Sequence, residues 1–164
     1  MAVDTSIIGK STGTTRVVVE RGPVAVFADA VKDRSPIYKD AGAAAAAGYD
    51  QVPAPPTYPF VMSHWGAFTE MQPEGGGDAM AGIGAVLGPL MAQGGLILHG
   101  EQAFEYHRPV VVGDVLVGEG KVVDVYEKES GSHSMTFLVT ETTWTDESSG
   151  QTVATARTNL LVRR

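Results

Sequence analysis

One histidine of this sequence stands two residues before a carboxylate, and such a pair can exchange protons. His99 and Glu101 belong to the segment Leu98-His-Gly-Glu-Gln102, at the start of a run of β-forming residues. Residues i and i+2 of a strand face the same side of a sheet, so the pattern predicts an imidazole beside a carboxylate. That pair is a workable acid/base unit near neutral pH. The alternative is a strand histidine whose ring nitrogens bond to backbone or water.

The remaining histidines carry weaker signals. His64 falls on a predicted helix, where it could line a ligand tunnel or simply pack beside Trp65. His107 precedes an arginine and a proline and could face phosphate or solvent, and His133 falls in a polar turn and is expected to be solvated. No histidine pair has a metal-ligand spacing such as His-x-x-x-His, so we predict no metal site.

Composition limits what the chain can be. Its 164 residues are 43% hydrophobic, which suits one domain, residues 1–164, with a sizeable core. A formal charge of −7 at pH 7, without a basic cluster, argues against a nucleic-acid partner. The lack of cysteine excludes disulfides, thiolate nucleophiles and thiolate zinc sites. Because there is no signal pattern and no long apolar run, we expect a soluble cytoplasmic protein with no membrane partner.

The first part of the chain predicts one strand and short helices. Weak alternation and several valines predict a strand over 14–20, and apolar residues at helical spacing predict a helix over 24–31. The alanine-rich run 41–47 favours another short helix that ends at Gly48.

The middle of the chain predicts a central helix and then a loop. Prolines from position 53 onward require an extended segment, and the apolar residues that follow predict a buried helix over 58–71. We expect this helix to be the central one. Between 75 and 95 eight glycines stand among small apolar residues, so we predict an irregular loop that could act as a lid.

The last third of the sequence is rich in β-forming residues. The runs 96–106, 115–126, 135–144 and 152–162 are separated by turn residues and predict four strands in an antiparallel meander. In the third run one face is apolar and the other mixes threonine with leucine, so one face should pack on a helix. The pattern predicts an α+β fold in which a sheet covers a helix.

Longer motifs resemble a known family. The segment Phe27-Ala-Asp-Ala-Val-Lys-Asp33-Arg-Ser-Pro36-Ile-Tyr38 resembles the signature of MaoC-like R-specific hydratases and dehydratases, which usually has His at the position of Tyr38. Ala54-Pro-Pro-Thr57 and Phe104-Glu-Tyr-His-Arg-Pro109-Val-Val-Val-Gly113-Asp114 are similar to their N-terminal dehydratase domains, as found in actinobacterial 3R-hydroxyacyl-acyl-carrier-protein dehydratase subunits. The resemblance implies a hotdog fold, an antiparallel β-sheet wrapped around a central α-helix.

The resemblance also implies a reaction. An enoyl thioester of coenzyme A or acyl carrier protein is hydrated, or a 3R-hydroxyacyl thioester dehydrated, in fatty acid metabolism. One group deprotonates water as it attacks C3 while another supplies a proton to C2. Asp33 would be one such group. Tyr38 is a poor general base because its ordinary pKa is about 10, so His99 is the candidate for the second. In the alternative interpretation Asp33 caps a loop and Tyr38 fills a pocket wall.

In this family a backbone N–H near the start of the central helix polarises the thioester carbonyl. Here that start falls at Thr57, Tyr58 and Phe60. We expect no cofactor. The full set of candidate substrate-binding residues is Tyr38, Thr57, Tyr58, Phe60, His64 and Gly100.

Two functions fit the resemblance. In the first, the chain is an enzyme that uses Asp33 and His99. In the second, it is a non-catalytic, substrate-binding subunit whose partner carries the intact Asp-x-Asn-Pro-x-His motif. Either function implies a homodimer or a heterodimer, because a sheet closed over one helix leaves an open edge.

Overall fold

A six-stranded antiparallel sheet is the framework of the protein, in a computed structural model that describes residues 3–65, 76–77, 79–92, 94–130 and 133–163. The strands are β1 (Ser11–Val18), β2 (Gly76–Gly77), β3 (Leu96–Tyr106), β4 (Val115–Ser130), β5 (His133–Asp146) and β6 (Thr152–Arg163). The helices are α1 (Arg21–Ala30), α2 (Ala41–Ala46), α3 (Tyr58–Trp65) and α4 (Ala79–Ala92). The α+β prediction is confirmed.

The strands lie side by side in the order β2-β1-β4-β5-β6-β3. The predicted meander is correct for β4, β5 and β6 but wrong for β3, which pairs with β6 and not with β4. Residues 107–114 between β3 and β4 are too long for a tight hairpin, and Val111 in this segment bridges to Pro53. β3 therefore lies at one edge of the sheet.

Among the helices, one prediction extends beyond the described residues and one needs correction. The described part of the predicted central helix ends at Trp65, and residues 66–71 lie outside the described residues. The predicted glycine-rich loop is wrong over most of its length, because residues 79–92 form α4. Helical spacing places Val86 and Leu87 against the sheet, and this burial outweighs the low helix propensity of the glycines. None of the described helices could cross a membrane.

The short helix α2 follows its predicted course. The Asp40 side chain accepts a hydrogen bond from the Ala43 N–H at its first turn, and Gly48 follows its end with φ of 89°.

The helices α3 and α4 pack on different parts of the same face of the sheet. Tyr58 and Met62 of α3 are buried with Leu116 and Trp144 in one apolar cluster. Val86 of α4 is buried in a second cluster, whose other members are Val122, Val125 and Leu138. The role that the sequence predicts for one central helix is thus divided between α3 and α4.

The approach of α4 to β1 depends on a single glycine. A Cβ atom added to Gly82 would lie 2.4 Å from both the carbonyl carbon and the carbonyl oxygen of Thr12. These are backbone atoms, so a side chain at position 82 would push the helix away from the sheet.

We predict that Gly82→Ala lowers the free energy of unfolding by about 2 kcal/mol through overpacking. The matched control is Gly84→Ala in the same helix, where nothing lies within 4 Å of an added Cβ. This control should raise stability by about 0.5 kcal/mol because alanine favours the helix. Urea unfolding followed by circular dichroism measures both, and equal effects would contradict the packing of α4 on β1.

Candidate functional site

A cavity of about 260 Å³ lies between the sheet and the helices α3 and α4. The helices contribute Pro59, Phe60, Ser63, His64 and Ile83 to its wall. The strands contribute Thr12, His99, Gln102, Thr140, Thr142, Trp144, Ala156, Thr158 and Leu160. The cavity therefore joins the edge strand β3 to the start of α3.

Three of the predicted site residues meet at this cavity. The ring of Phe60 lies between two imidazoles, with its centroid 5.2 Å from that of His64 and 5.4 Å from that of His99. His64 Nδ1 lies 3.1 Å from the carbonyl oxygen of Phe60. Phe60 is 40% exposed, so this aromatic group reaches from the cavity to the protein surface.

The predicted pairing of His99 with Glu101 is wrong. His99 pairs with Leu160 of β6 and Glu101 with Asn159, so Gly100 is an extra residue, a β-bulge. A Cβ added there would lie 3.1 Å from the carbonyl oxygen of Asn159, which suits glycine. Beyond the bulge, each side chain of β3 points to the face of the sheet opposite to the one that strict alternation from His99 would give. His99 lines the cavity, whereas Glu101 borders a recess on the opposite face of the sheet.

Tyr38 lies elsewhere, in a second recess of about 370 Å³ that it shares with Tyr106, His107 and Arg108. It ends a short 3₁₀ turn, Pro36–Tyr38. Burial, and then the negative charges of Asp33 and Tyr49, raise the pKa of Tyr38 above its ordinary value. A higher pKa keeps this phenol protonated at neutral pH, so it is not available to accept a proton.

Asp33 belongs to the turn that leads into this recess. Its backbone N–H donates to the carbonyl of Ala28 at the end of α1, and its Oδ1 accepts from the N–H of Ser35 at 3.0 Å. Asp33 is not among the described residues that line the cavity beside His99. The two candidate catalytic residues therefore do not share one cavity within this chain.

At the start of α3 two of the backbone N–H groups are engaged within the chain, so the N–H of Thr57 is the one that fits the predicted polarising role. The N–H of Tyr58 donates to Pro55, and the N–H of Phe60 donates to Thr57, so both are already used. The Tyr58 side chain is buried with its ring edge against Phe27, and burial raises its pKa strongly. Tyr58 is thus part of the core, and Thr57 is a turn residue that accepts a backbone hydrogen bond.

A charged cluster that the sequence reasoning missed supports the wall of the Tyr38 recess. Arg108 donates from Nη1 to Asp114 at 2.8 Å and from Nη2 to Asp146 at 3.1 Å. Asp114 also accepts from the Val111 N–H at 2.9 Å. Hydrogen bonds from Ser148 and Ser149 lower the pKa of Asp146 to about 2, so it stays ionised. The sequence does contain a signal for this cluster, because Arg108 directly precedes the segment from Pro109 to Gly113-Asp114.

The fold and the cavity define the class: a hotdog protein of the dehydratase type. Residues 6–156 match the family model described as FAS1-like, dehydratase domain region, and the chain belongs to this family. Its fold is that of the MaoC-like proteins.

Curated relatives from actinobacteria match most of the chain. A UPF0336 protein of Thermobifida fusca is 34% identical over 145 residues, which are 88% of this chain and 83% of the relative. A UPF0336 protein of Saccharopolyspora erythraea is 34% identical over 164 residues, which are 99% of this chain and 93% of the relative.

Solved structures agree on the fold. The C-terminally truncated HadBC (3R-hydroxyacyl-ACP dehydratase) complex of Mycobacterium tuberculosis contains a similar chain, with a TM-score of 0.69, 24% identity, and coverage of 97% of this chain and 99% of that one. A chain of the ChsH1-ChsH2 complex of the same organism has a TM-score of 0.68 and 22% identity, covering 90% of this chain and 84% of that one.

We predict that Asp114→Asn destabilises the protein by about 2 kcal/mol, because it leaves Arg108 without its nearest carboxylate. The matched control is Asp29→Asn, which removes a carboxylate that is 66% exposed and pairs with Lys39 at the surface. An exposed pair contributes about 0.5 kcal/mol or less. Thermal and urea unfolding compare the two variants, and equal losses would show that the Arg108 cluster does not support the fold.

Proposed function

We propose that this chain is the non-catalytic, substrate-binding subunit of a heteromeric 3R-hydroxyacyl-thioester dehydratase, or R-specific enoyl-thioester hydratase. Its partner would be a second hotdog subunit that carries the intact Asp/His motif. The observation that supports this proposal is the separation of the two acid/base candidates. Asp33 lies in the turn before Tyr38, whereas His99 lines the cavity under α3.

The chemistry explains why this separation matters. Addition of water across a double bond needs a base and an acid positioned around the same two carbons. Asp33 has Tyr38 beside it, whose raised pKa makes it unsuitable as a base. His99 has the Phe60 ring beside it, and Glu101 faces away. Asp33 and His99 therefore do not form one acid/base pair within this chain.

The cavity is suited to the substrate-binding half of the task. It opens beside Phe60 and His99 and extends between the sheet and the helices to Trp144. Clefts with a mainly apolar lining and a few polar groups commonly hold small ligands. The proposed occupant is the acyl chain of a thioester carried by coenzyme A or acyl carrier protein.

The exposed edge of the sheet offers the surface for the partner. β3 pairs with β6 on one side only. Two leucines of β3 are exposed, Leu96 to 61% and Leu98 to 37%. The exposed Phe60 of α3 lies against His99, which also belongs to β3. Apolar side chains along an unpaired strand edge favour pairing with another chain. His99, on the other face of the same strand, lines the cavity, so a partner along the β3 edge would lie beside the cavity.

The first test of the proposal is enzymatic. The purified chain should not hydrate crotonyl-CoA or longer enoyl-CoAs above background, because it lacks a complete acid/base pair. Co-expression with a family member that has the intact motif should give an active complex. In that complex, His99→Gln should change kcat by less than about threefold. If His99 were a general acid or base of the reaction, the same variant would lower kcat by a factor of at least about 100.

The competing function is a stand-alone enzyme that uses Asp33 and His99. Turnover by the chain alone, abolished by both Asp33→Asn and His99→Gln in variants that keep the wild-type circular dichroism spectrum, would establish that function and refute the proposal.

The second test concerns assembly. Leu98→Lys should weaken association with the partner by at least about tenfold, because a charge would be buried at the β3 edge. Val26→Lys is the matched control, since Val26 on α1 is 65% exposed and more accessible than Leu98. Analytical ultracentrifugation of the co-expressed subunits measures both. Undiminished association of Leu98→Lys would place the interface elsewhere.

A further inference from the structure

The cavity beside His99 has hydroxyl groups on its floor. Thr12 of β1 and Thr140 and Thr142 of β5 line it, together with Thr158 of β6. Thr158 donates to the Gln102 side chain at 2.8 Å, so this threonine is paired. Within the part of the chain that the structure describes, the hydroxyls of Thr140 and Thr142 form no side-chain hydrogen bond.

Strand β5 turns its polar face inward. Thr136 is 1% exposed, Leu138 is fully buried and Thr140 is 8% exposed, all on the face that meets the helices. The other face, which carries Phe137 and Val139 over the same part of the strand, is only half-buried. Binary patterning alone would place the apolar face inside, and exceptions to it concentrate at functional sites.

Trp144 adds a buried donor to the same cavity. The residue is 1% exposed, and its Nε1 has no hydrogen-bond partner among the described residues. The indole ring fits over β4 because position 118 is glycine, where an added Cβ would lie 2.7 Å from the Cζ3 atom of the ring. A buried N–H group without an acceptor is unfavourable, and it adds to the polar atoms that lie around this cavity.

Gly120 leaves room for one of the hydroxyls. A Cβ added to Gly120 would lie 2.2 Å from Thr12 Oγ1 and 3.5 Å from Thr142 Oγ1. Because positions 118 and 120 are glycines, this part of β4 has no side chains on one face, and the space is taken by atoms of neighbouring residues.

We propose that the cavity selects acyl thioesters whose chain carries a hydroxyl or keto oxygen away from the thioester, over plain hydrocarbon chains of the same length. This proposal rests on the proposed function and names the substrate class of the same cavity. A plain chain would displace water from Thr140 and Thr142 and return no hydrogen bond. A chain oxygen replaces that water, accepting from a threonine hydroxyl and, if it is a hydroxyl, also donating.

The test compares saturated octanoyl-CoA with octanoyl-CoAs that carry a hydroxyl on one of carbons 5 to 8. These saturated thioesters lack the 3-hydroxyl and the double bond, so a catalytic partner does not convert them. Isothermal titration calorimetry is performed on the full chain, with its partner where the two co-purify. At least one hydroxylated ligand should bind about fivefold more tightly than octanoyl-CoA, the value of one added neutral hydrogen bond.

The matched variants separate the hydroxyls from the packing. The double variant Thr140→Val with Thr142→Val keeps the side-chain shape and should remove the fivefold preference without weakening octanoyl-CoA binding. Thr143→Val changes the same strand on its opposite face and should keep the preference.

Two outcomes refute the selection for oxygen. One is equal binding of plain and hydroxylated chains by the unaltered protein, and the other is persistence of the preference in the double variant, whether or not both ligands bind more weakly to it. In each of these the acyl chain still binds, so the proposed function stands. If no acyl-CoA binds at all, the proposed function itself fails, and the selectivity falls with it.

Discussion

The covering of one face of the sheet by two helices is the constraint on which the rest of this structure depends. α4 approaches β1 so closely at Gly82 that only hydrogen fits between helix and strand backbone. α3 buries Tyr58 and Met62 over the other part of the face. The space between Phe60 and His64 of α3 and Ile83 of α4 is left open over the strands, and it is the cavity. The cavity is thus a direct result of how the helices divide the face.

The contents of that cavity are then decided by small residues in the strands. The bulge at Gly100 inverts the alternation of β3, so His99 lines the cavity and Glu101 is on the opposite face. Gly118 admits the Trp144 ring, and Gly120 admits the Thr12 hydroxyl. Glycines within strands, which stabilise them least, are the residues that allow polar and aromatic atoms to collect here.

These glycines also show what could be read from the sequence and what could not. The runs of β-forming residues between turn residues predicted β3 to β6 correctly, because both signals are local properties of the sequence. The bulge at Gly100 depends on the carbonyl of Asn159, about sixty residues away in sequence, and no local pattern reveals it. The helix α4 was missed for the same kind of reason, since its stability comes from packing on the sheet. The pairing of β3 with β6 likewise depends on the path of residues 107–114.

The motif around Asp33 has a clear role in the local structure. Asp33 Oδ1 accepts from the Ser35 N–H and closes the turn that follows α1, while Tyr38 is 8% exposed and fills the wall of its own recess. Both residues therefore have structural roles that need no proton transfer. A carboxylate at position 33 would stabilise this turn whether a histidine or a tyrosine stood at position 38. The Asp33 motif is thus sound evidence for the family and its turn, whereas evidence for catalysis must come from a base that shares a cavity with the carboxylate.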